Sequence, residues 1–525
     1  MPTASRCLNG SSDSWRGVEA AAAHGPLKKR GRRAAGARSA GSGSAIGGSG
    51  ERGRRAAGSA VGGSLAGMLG GVSAPSEMTP THPRPQPGER VELEIESLAF
   101  GGAGVARHHG YVVFVAGALP GDRVRALLVK ARRSHGEARL LEVLEAGPDR
   151  VEPAAEHPGA PWQILRYERQ LEVKQLQVRD ALVRLGRLED FELEPIVPAV
   201  DRWRYRNKLE YSFGADANGE LICGFHAPGE WERIVPVNDC LLASVAGNQL
   251  REQVLRWARA ACLPAYDRRS GRGFLRNLVI REGRRTGHLQ ARLITASGEL
   301  DRRSLAAALP HAAGVLWTRT DAPAEVAHGQ TELLQGAAQL EERLCGLRVR
   351  ISAEAFFQTN TEMAERLYRV ALDYAGLSGF ERVYDLFCGI GTIALVLAPR
   401  AAEVHGLELV EQAVADARAN AALNEIDNVT FHAGDVRTAL RQLLAHAGRP
   451  DVLVVDPPRA GLSQRVVRRI IECAPRRIVY VSCNPTTLAP NAAQLAEAGW
   501  RLIRVRAVDM FPQTPHIECV ALLER

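Results

Sequence analysis

The sequence predicts an α/β fold in which the last third of the chain forms a doubly wound parallel sheet, preceded by two further domains. One observation is a helical pattern that places Met363, Leu367, Val370, Ala371 and Tyr374 on one face. A second is a glycine turn between the first strand-like run and the next helix. The third is a series of short apolar runs near residues 382–386, 403–407, 452–455, 477–482 and 518–523. Strands that alternate with helices in this order predict a sheet covered on both faces.

Length and composition describe a chain large enough for two or three domains. It has 525 residues, of which 45% are hydrophobic. No apolar stretch reaches the roughly 18 residues that a membrane span needs, and the N-terminus lacks the apolar core of a signal peptide. Nine cysteines are scattered without a CxxC pair, which argues against a disulfide framework and a zinc site. We expect a cytoplasmic monomer with no metal site and no membrane partner.

The net charge of +8 is concentrated at the N-terminus. Residues 1–85 hold 12 Lys/Arg and 4 Asp/Glu, which leaves 55 residues of each sign in the rest of the chain. Residues 1–86 are rich in Gly, Ala, Ser and Arg, and this composition cannot bury enough apolar surface to offset chain entropy. We predict a disordered basic tail over 1–86. Its basic clusters, 28–33 and 52–55, either contact nucleic acid nonspecifically or are simply solvated.

Order is predicted to begin near Gly88, with short strands separated by glycine turns. The segments 96–106 (Glu-Ser-Leu-Ala-Phe-Gly-Gly-Ala-Gly-Val-Ala) and 114–122 (Phe-Val-Ala-Gly-Ala-Leu-Pro-Gly-Asp) resemble the TRAM domain, a small OB-like β-barrel that binds RNA. We assign it to residues 87–147. Its RNA-contacting face would comprise Lys130, Arg132, Arg133 and His135. A charged surface loop is the alternative interpretation of these residues.

Residues 148–350 are predicted to form a central mixed α/β domain. A charged amphipathic helix spans 167–188, and 275–281 reads as a strand. Between them, residues 203–208 (Trp-Arg-Tyr-Arg-Asn-Lys) interleave aromatic and basic side chains, a pattern that suits base stacking and phosphate neutralisation. The same alternation, continued by Leu209, Tyr211 and Phe213, suits an ordinary half-buried strand. Both interpretations stay open at this point.

Residues 351–525 form the predicted doubly wound domain, and its first turn suggests a cofactor. Residues 383–392 (Val-Tyr-Asp-Leu-Phe-Cys-Gly-Ile-Gly-Thr) place glycines between a strand and a helix, where backbone can approach a ligand closely. The Phe-Cys-Gly-x-Gly form favours S-adenosylmethionine over a dinucleotide. Glu408, at the end of the next strand, would accept hydrogen bonds from the ribose hydroxyls, and Asp435 would hold the adenine amino group.

Two further strand tips carry reactive groups. Asp456-Pro-Pro-Arg459 ends one apolar run, and Cys483 ends the next. An amine target needs no thiol, whereas carbon 5 of uracil is too weakly nucleophilic to take a methyl group unless a thiolate first adds to carbon 6. A base must later remove the carbon 5 proton, and Glu518 stands at the start of the last strand. The presence of both Cys483 and Glu518 therefore predicts methylation of a carbon atom.

The ordered motifs resemble those of the RNA uracil-5-methyltransferase family. They are Phe-Phe-Gln-Thr-Asn at 356–360, Asp-Leu-Phe-Cys-Gly-Ile-Gly at 385–391, Asp-Pro-Pro-Arg-Ala-Gly-Leu at 456–462, Val-Ser-Cys-Asn-Pro at 481–485 and His-Ile-Glu at 516–518. The resemblance covers about residues 88–525. It implies a Rossmann-like S-adenosylmethionine-dependent methyltransferase domain, with Cys483 as nucleophile and Glu518 as proton-abstracting base. It further implies a cofactor-binding set of Gln358, Phe387, Thr392, Glu408, Asp435 and Asp456.

One departure concerns an iron–sulfur centre. Some members of the family bind such a cluster through cysteines that follow the TRAM domain, but residues 151–163 contain no cysteine. We therefore predict that no iron–sulfur cluster forms. The TRAM domain favours 23S rRNA as the substrate, with tRNA as the alternative. The flipped uridine would stack on an aromatic side chain, for which Phe357 and Phe511 are candidates, although either also suits the core.

Three other functions were considered. RNA cytosine-5-methyltransferases place a cysteine directly after a proline at the fourth strand, whereas Pro457 is followed by Pro458. Amino-directed enzymes end the related motif in an aromatic residue that stacks on the base, and here that position is Arg459. A catalytically silent RNA-binding protein would have no need to keep both Cys483 and Glu518. These observations favour uracil methylation over all three.

Overall fold

The computed structural model describes residues 85–322 and 329–525, all of which belong to one compact unit, Met68–Arg525. The predicted basic tail, apart from its last two residues, lies outside the described residues. None of the described helices is long and apolar enough to cross a membrane.

The first sheet contains the strands predicted for residues 87–147. They are β1 (Arg90–Glu94), β2 (Ser97–Leu98), β3 (Gly104–His108), β4 (Tyr111–Ala116), β5 (Arg123–Ala131) and β6 (His135–Glu145). Their order in the sheet is β1-β5-β6-β4-β3-β2. Val91, Leu93 and Ile95 are all buried, as their alternation with acidic residues predicts. This small sheet therefore has a core of its own.

A helical segment connects the first sheet to the rest of the molecule. It consists of α1 (Tyr167–Asp180), continued by a π-helical turn (Ala181–Leu185), and it leads to β7 (Glu192–Val197). The predicted helix over 167–188 is confirmed apart from its last three residues. Its buried face includes Gln170 and Lys174, two polar side chains that form hydrogen bonds with Gln513 and Asp509 near the C-terminus.

The central sheet packs one face against two helices. In chain order the elements are β8 (Lys208–Ala215), β9 (Leu221–Ala227), β10 (Glu230–Pro236), α2 (Val245–Ala260), β11 (Leu275–Glu282), β12 (Leu289–Thr295), α3 (Arg302–Ala308), β13 (Gly314–Arg319) and β14 (Gln330–Gly336). Leu209, Tyr211 and Phe213 are buried in this core. Residues 209–213 are therefore an ordinary core strand, whereas 203–207 precede that strand as a bent segment.

The C-terminal sheet follows a hairpin formed by β15 (Leu340–Leu344) and β16 (Leu347–Ile351). Its elements are α4 (Thr361–Ala375), β17 (Arg382–Leu386), α5 (Thr392–Leu397), β18 (Glu403–Glu408), α6 (Glu411–Leu423), β19 (Val429–Ala433), α7 (Val436–Ala447), β20 (Val452–Val455), α8 (Gln464–Cys473), β21 (Arg477–Ser482), α9 (Pro485–Glu497), β22 (Arg501–Val508) and β23 (Glu518–Glu524). The α4 residues predicted to share a face are all buried.

The strand order of this sheet is β19-β18-β17-β20-β21-β23-β22-β7, and it corrects the prediction of a wholly parallel sheet. β23 runs antiparallel to both β21 and β22. β19 and β22 were not predicted, because Thr430 and His432 interrupt one run and Arg501, Arg504 and Arg506 interrupt the other. β7 pairs parallel with β22, although it lies within the range assigned to the central domain.

The middle of this sheet is buried on both faces. All four residues of β20 are buried, and most of β17 and β21 are buried as well. Two clusters of apolar side chains pack the faces against the helices. Because β17, β18, β20 and β21 are parallel, their carboxyl ends meet at one edge, which is where ligands bind in open α/β sheets.

Candidate active site

The structure brings the candidate thiol and base together through strand register. In the antiparallel pairing of β21 with β23, Val481 faces Val520 and Ser482 faces Cys519. The same register continued by one residue places Cys483 opposite Glu518. Side chains of directly opposed residues project from the same face, with Cβ atoms about 4.5–5.5 Å apart. Residues 35 positions apart in sequence thus become neighbours at the sheet edge.

Side-chain hydrogen bonds fix the strand tip that carries Cys483. The Ser482 Oγ accepts from the backbone N–H of Asn484 at 3.1 Å. The Asn484 Oδ1 accepts from the N–H of Thr486 and so caps α9, which has Pro485 in its first turn. The Asn484 Nδ2 donates to the carbonyl of Arg459 at 3.1 Å. One asparagine therefore ties the thiol tip to the loop that carries Asp456.

The electrostatic environment favours neutral forms of the reactive groups. Burial raises the pKa of Cys483 to about 11, with further increases from Glu518 and Asp456 that Arg459 partly opposes. Burial, followed by the charge of Asp456, raises the pKa of Glu518 well above its ordinary value. Burial also raises the pKa of Asp456 to about 7. A cation bound beside these groups would stabilise their ionised forms.

The turn after β17 forms one wall of the adjacent crevice. Phe387, Gly389 and Gly391 all have positive φ, at 65°, 53° and 84°. A Cβ on Gly391 would lie 2.6 Å from the Phe431 ring, so only glycine fits there. The Glu408 carboxylate accepts from the N–H of Gly389 at 3.1 Å and from that of Val410 at 2.9 Å. Glu408 is thus fixed against the turn, as its sequence position predicts.

Buried Asp385 is a component of the crevice that was not among the predicted site residues. It is the fourth residue of β17, and its carboxyl oxygens lack a well-formed hydrogen bond among the described residues. Burial and the charge of Asp456 raise its pKa well above the ordinary value. Directly after β18, the apolar residues Leu409 and Val410 are 64% and 55% exposed. A buried carboxyl group without a cationic partner suits a ligand with a positive charge. The exposed apolar residues suit a ligand that also carries an aromatic base. The signal in the sequence was an acidic residue inside an otherwise apolar strand.

The other predicted cofactor residues have varied surroundings. Gln358 is buried, and its backbone carbonyl accepts a hydrogen bond of 2.9 Å from the Asn207 side chain. Buried Thr392 is 3.0 Å from the Tyr368 hydroxyl. Asp435 caps α7 and forms an ion pair with Arg437, whose Nε lies 2.8 Å from the carboxylate. Asp435 thus already has a cationic partner.

The loop that precedes Glu518, residues 509–517, is held along its length. Four consecutive carbonyls, from residues 510 to 513, accept hydrogen bonds of 2.9–3.0 Å from four different segments. The donors, in order, are Asn360 Nδ2, Lys174 Nζ, Tyr205 OH and the Trp162 N–H. The sequence analysis did not identify this clamp, because its donors lie 150 to 351 residues away along the chain.

Asp509 is the first residue of the same loop, and its side chain anchors the loop to α1. Its carboxylate is fully buried, 2.6 Å from the Lys174 ammonium and 2.8 Å from the Tyr167 hydroxyl. The Tyr167 oxygen in turn accepts from the N–H of Ala199 at 2.8 Å. The candidate base is thus positioned by residues that precede the methyltransferase motifs in the chain.

Exposure separates the aromatic candidates for base stacking. Phe357 is 5% exposed and lies in the core, while Phe511 is half-buried. Phe356, which was not predicted, is 69% exposed and stands directly before the Phe357–Gln358 pair. In the first sheet, His135 is buried edge-on against Phe114, so it does not belong to an RNA-contacting face. Lys130 forms an exposed ion pair with Glu137.

Comparisons with known proteins indicate the family of this chain. A family model described as tRNA (Uracil-5-)-methyltransferase matches residues 330–525, and a TRAM domain model matches residues 84–141. An uncharacterized RNA methyltransferase of Halalkalibacterium halodurans is 38% identical over 444 residues, which cover 83% of this chain and 96% of that protein. Another from Gloeobacter violaceus is 39% identical and covers 83% and 97%. The predicted TRAM domain is confirmed.

A solved structure extends the similarity to the fold. The crystal structure of Pyrococcus abyssi tRNA (uracil-54, C5)-methyltransferase in complex with S-adenosyl-L-homocysteine is similar, with a TM-score of 0.69 and 28% sequence identity. The match covers 82% of this chain and all of that one. This similarity and the family match confirm the predicted S-adenosylmethionine dependence and the methyltransferase fold. The chain belongs to the RNA uracil-5-methyltransferase family.

Proposed function

We propose that this protein methylates carbon 5 of one uridine in a structured RNA through a transient covalent bond between Cys483 and the base. The observation that carries the proposal is the register that sets Cys483 opposite Glu518 at the edge where Asp456 also lies. A thiol and a carboxyl group at this spacing supply the two groups that carbon methylation needs.

The first step is addition of the Cys483 thiolate to carbon 6 of the uracil. The carbon 5–carbon 6 double bond opens, and its electron pair becomes available at carbon 5. S-adenosylmethionine, when bound, supplies an electrophilic methyl group. Asp456 lies beside Cys483, so the ends of β20 and β21 would hold donor and acceptor in line. Cys483 is partly buried, which limits the access of water to the reacting atoms.

The second step returns the thiol. Once carbon 5 has taken the methyl group, the Glu518 carboxylate removes the remaining carbon 5 proton. The electron pair of that bond re-forms the double bond, and the Cys483 thiolate leaves carbon 6. A carboxylate in a desolvated site is a stronger base than an exposed one, because burial penalises its charge.

The same proposal assigns cofactor contacts to the crevice residues. Glu408 would bind the ribose hydroxyls, because its carboxylate is held in place by two backbone N–H groups. Gln358, Phe387, Thr392 and Asp456 would contact the methyl donor as the family motifs imply. Asp435 would bind the adenine amino group after Arg437 moves aside. Asp385 would neutralise the positive charge of the donor.

Phe356 replaces the earlier candidates as the residue that stacks on the flipped uracil. A phenylalanine that exposes most of its ring gains from a planar partner, and uracil provides one. Its position two residues before Gln358 places it at the boundary between the RNA and the methyl donor.

We propose 23S rRNA as the substrate, because the TRAM domain adds an RNA-binding module to the catalytic unit. A tRNA is the second candidate, favoured by the similarity to an enzyme named for uracil 54 of tRNA. We further propose catalysis without an iron–sulfur cluster, because residues 151–163 offer no cysteine ligand. Mapping of 5-methyluridine in total RNA from cells with and without the gene distinguishes the two substrates.

The mechanism is tested by incubating the protein with unmodified 23S rRNA and tRNA transcripts and S-adenosylmethionine. We expect 5-methyluridine from the wild type and none from Cys483→Ala. Glu518→Gln should accumulate a protein–RNA adduct that survives denaturation, because addition and methyl transfer precede proton removal. Cys262→Ala, at an exposed position in the central domain, is the control and should behave as wild type. Full activity of Cys483→Ala would refute the proposal.

A further inference from the structure

A cavity of about 420 Å³ opens beside the loop that leads to Glu518. Its walls come from three parts of the chain: the linker after the first sheet, the central sheet and the 509–517 loop. The residues that define it are Arg206, Leu209, Glu210, Phe225, Pro515 and His516. We call it the flanking pocket. It is separate from the crevice that holds Glu408 and Asp385.

The flanking pocket adjoins the reacting groups. His516 lines it and stands two residues before Glu518. The Phe511 ring lies between the two polar residues of the pocket mouth, 5.9 Å from the His516 ring and 5.6 Å from the Arg206 guanidinium. The loop that forms one wall of the flanking pocket therefore leads directly to the strand that pairs with the Cys483 strand.

The walls combine apolar surface with a few polar groups, as small-ligand sites do. Leu209 and Leu242 are buried, and the half-buried Phe225 ring packs 5.4 Å from His157 and 5.1 Å from Tyr211. Arg206 can donate and Glu210 can accept hydrogen bonds at the rim. Among the described residues, the Arg206 Nε is buried and has no hydrogen-bond partner.

The pocket is held in shape without any ligand. The 509–517 loop is clamped at four consecutive carbonyls, and a Cβ on Gly102 would lie only 3.0 Å from Pro515, so the first sheet packs against the pocket wall. A preformed pocket limits the ordering cost of binding. It therefore suits a ligand recognised by shape and stacking.

We propose that the flanking pocket binds the base of a nucleotide next to the target uridine, and so contributes to the choice of RNA. This rests on the proposed function. Unstacked RNA bases are recognised by aromatic faces, by arginine planes and by hydrogen bonds to their edges, and the pocket offers all three. Recognition of two adjacent splayed bases would exclude uridines that are paired or stacked on both sides.

The test combines a pocket-filling variant with abasic RNA. Pro161→Trp adds an indole at the exposed edge of the pocket, and Glu156→Trp adds the same group at an exposed position outside it. Affinity is measured by fluorescence anisotropy with an oligonucleotide that contains the methylated uridine, and with versions that are abasic at each neighbouring position. If no 5-methyluridine forms, the oligonucleotides are taken instead from the RNA segment that the protein protects from nuclease.

We expect one neighbouring abasic position to weaken wild-type binding about tenfold, the usual cost of one lost stacking contact. Pro161→Trp should bind intact RNA about tenfold more weakly than the wild type does, and its affinity should not fall further with that abasic RNA. Glu156→Trp should have the affinities of the wild type for both RNAs. Arg206→Gln, which adds no volume, should show the same non-additivity and serves if Pro161→Trp fails to fold. Additive losses, or no sensitive neighbouring position, would overturn the proposal. Loss of methylation with an intact binding pattern would refute only the proposed function.

Discussion

Cys483 lies where burial and two carboxyl groups keep its thiol protonated. Its pKa of about 11 means that only about one molecule in ten thousand carries a thiolate at pH 7 without ligands. A sulfonium bound beside Asp456 and Glu518 would oppose this effect, because a positive charge favours the thiolate. The nucleophile would then become active only when the methyl donor is present.

Alkylation of Cys483 tests this coupling. With iodoacetamide and no ligand, the rate should rise about tenfold per pH unit from pH 7 to 10, because only the thiolate reacts. At pH 7, S-adenosylmethionine should raise the rate about tenfold over S-adenosylhomocysteine, which lacks the sulfonium charge, since one pKa unit changes the thiolate population tenfold. Peptide mass spectrometry gives the rate at each cysteine. Exposed Cys262 is the internal control, and equal rates at Cys483 with both ligands would contradict the coupling.

Asp385 should make stability depend on pH. Its pKa is raised in the folded protein, so the native state binds its proton more tightly than the unfolded state, and stability falls as the pH rises above about 4. Asp385→Asn removes this penalty. We expect urea unfolding at pH 5 to 8 without ligand to show a smaller decline for the variant than for the wild type. The control is Asp373→Asn, at an exposed position of α4. Parallel declines would show that Asp385 does not titrate as inferred.

Candidate site residues could be predicted from the sequence where the prediction depended only on their position at the end of a strand. Cys483, Glu518 and Glu408 were predicted because each stands at a strand end. The exposed phenylalanine that we propose for base stacking was not, because Phe356 and Phe357 are adjacent and identical, and only the packing against α4 decides which ring is buried. The roles of these residues in catalysis stay predictions.

At the scale of elements, the 509–517 loop depends on a buried ion pair. Lys174 and Asp509 are both fully buried, and Lys174 also donates to the carbonyl of Phe511. Removal of one partner of such a pair costs about 3–5 kcal/mol, because the other charge stays buried without compensation. α1 is therefore coupled to the strand that carries the candidate base.

Lys174→Met should lower the free energy of unfolding by about 3–5 kcal/mol. Lys174→Met with Asp509→Asn should recover much of that loss, since neither charge remains. The double variant should still methylate more slowly than wild type, because the Phe511 carbonyl has lost its donor. Urea unfolding and single-turnover methylation measure the two effects. Arg184→Ala, which breaks an exposed pair with Asp180 in the turn that continues the same helix, should cost less than about 1 kcal/mol. A double variant with full activity would exclude a positioning role for Lys174.

Elements with a clear period were predicted well. The face of α4 and the runs that became β17, β18, β20, β21 and β23 follow simple patterns. β22 was missed because Arg504 and Arg506 project towards β7 and pair there with Glu194. The direction of β23 could not be read either, because periodicity carries no information on strand direction.

At the scale of the whole molecule, the TRAM domain contacts the 509–517 loop. Gly101 and Gly102 share a φ of +92°, but only Gly102 has neighbours where a Cβ would be, at 2.8 Å from Trp162 and 3.0 Å from Pro515. This contact joins the N-terminal RNA-binding domain to the residues just before Glu518.

The two glycines provide a matched pair of variants. Gly101→Ala and Gly102→Ala carry the same backbone strain, so a difference between them reports the contacts with Trp162 and Pro515. We expect Gly102→Ala to lose about 1–3 kcal/mol more stability, the usual cost of overpacking, and to methylate RNA more slowly. Thermal unfolding and methylation rates check this outcome. Equal behaviour of the two variants would mean that the contact contributes nothing.

The position of β23 in the sheet means that a folded chain that contains Cys483 also contains Glu518. Because β23 lies between β21 and β22, a chain that ended before Glu518 would leave both with an unpaired edge. Under the proposed mechanism, such a chain would contain Cys483 without the group that releases it from RNA, and each encounter would end in a permanent adduct. The topology prevents this by making the release group part of the strand that completes the sheet. A prematurely terminated copy would fail to fold before it could damage its own substrate.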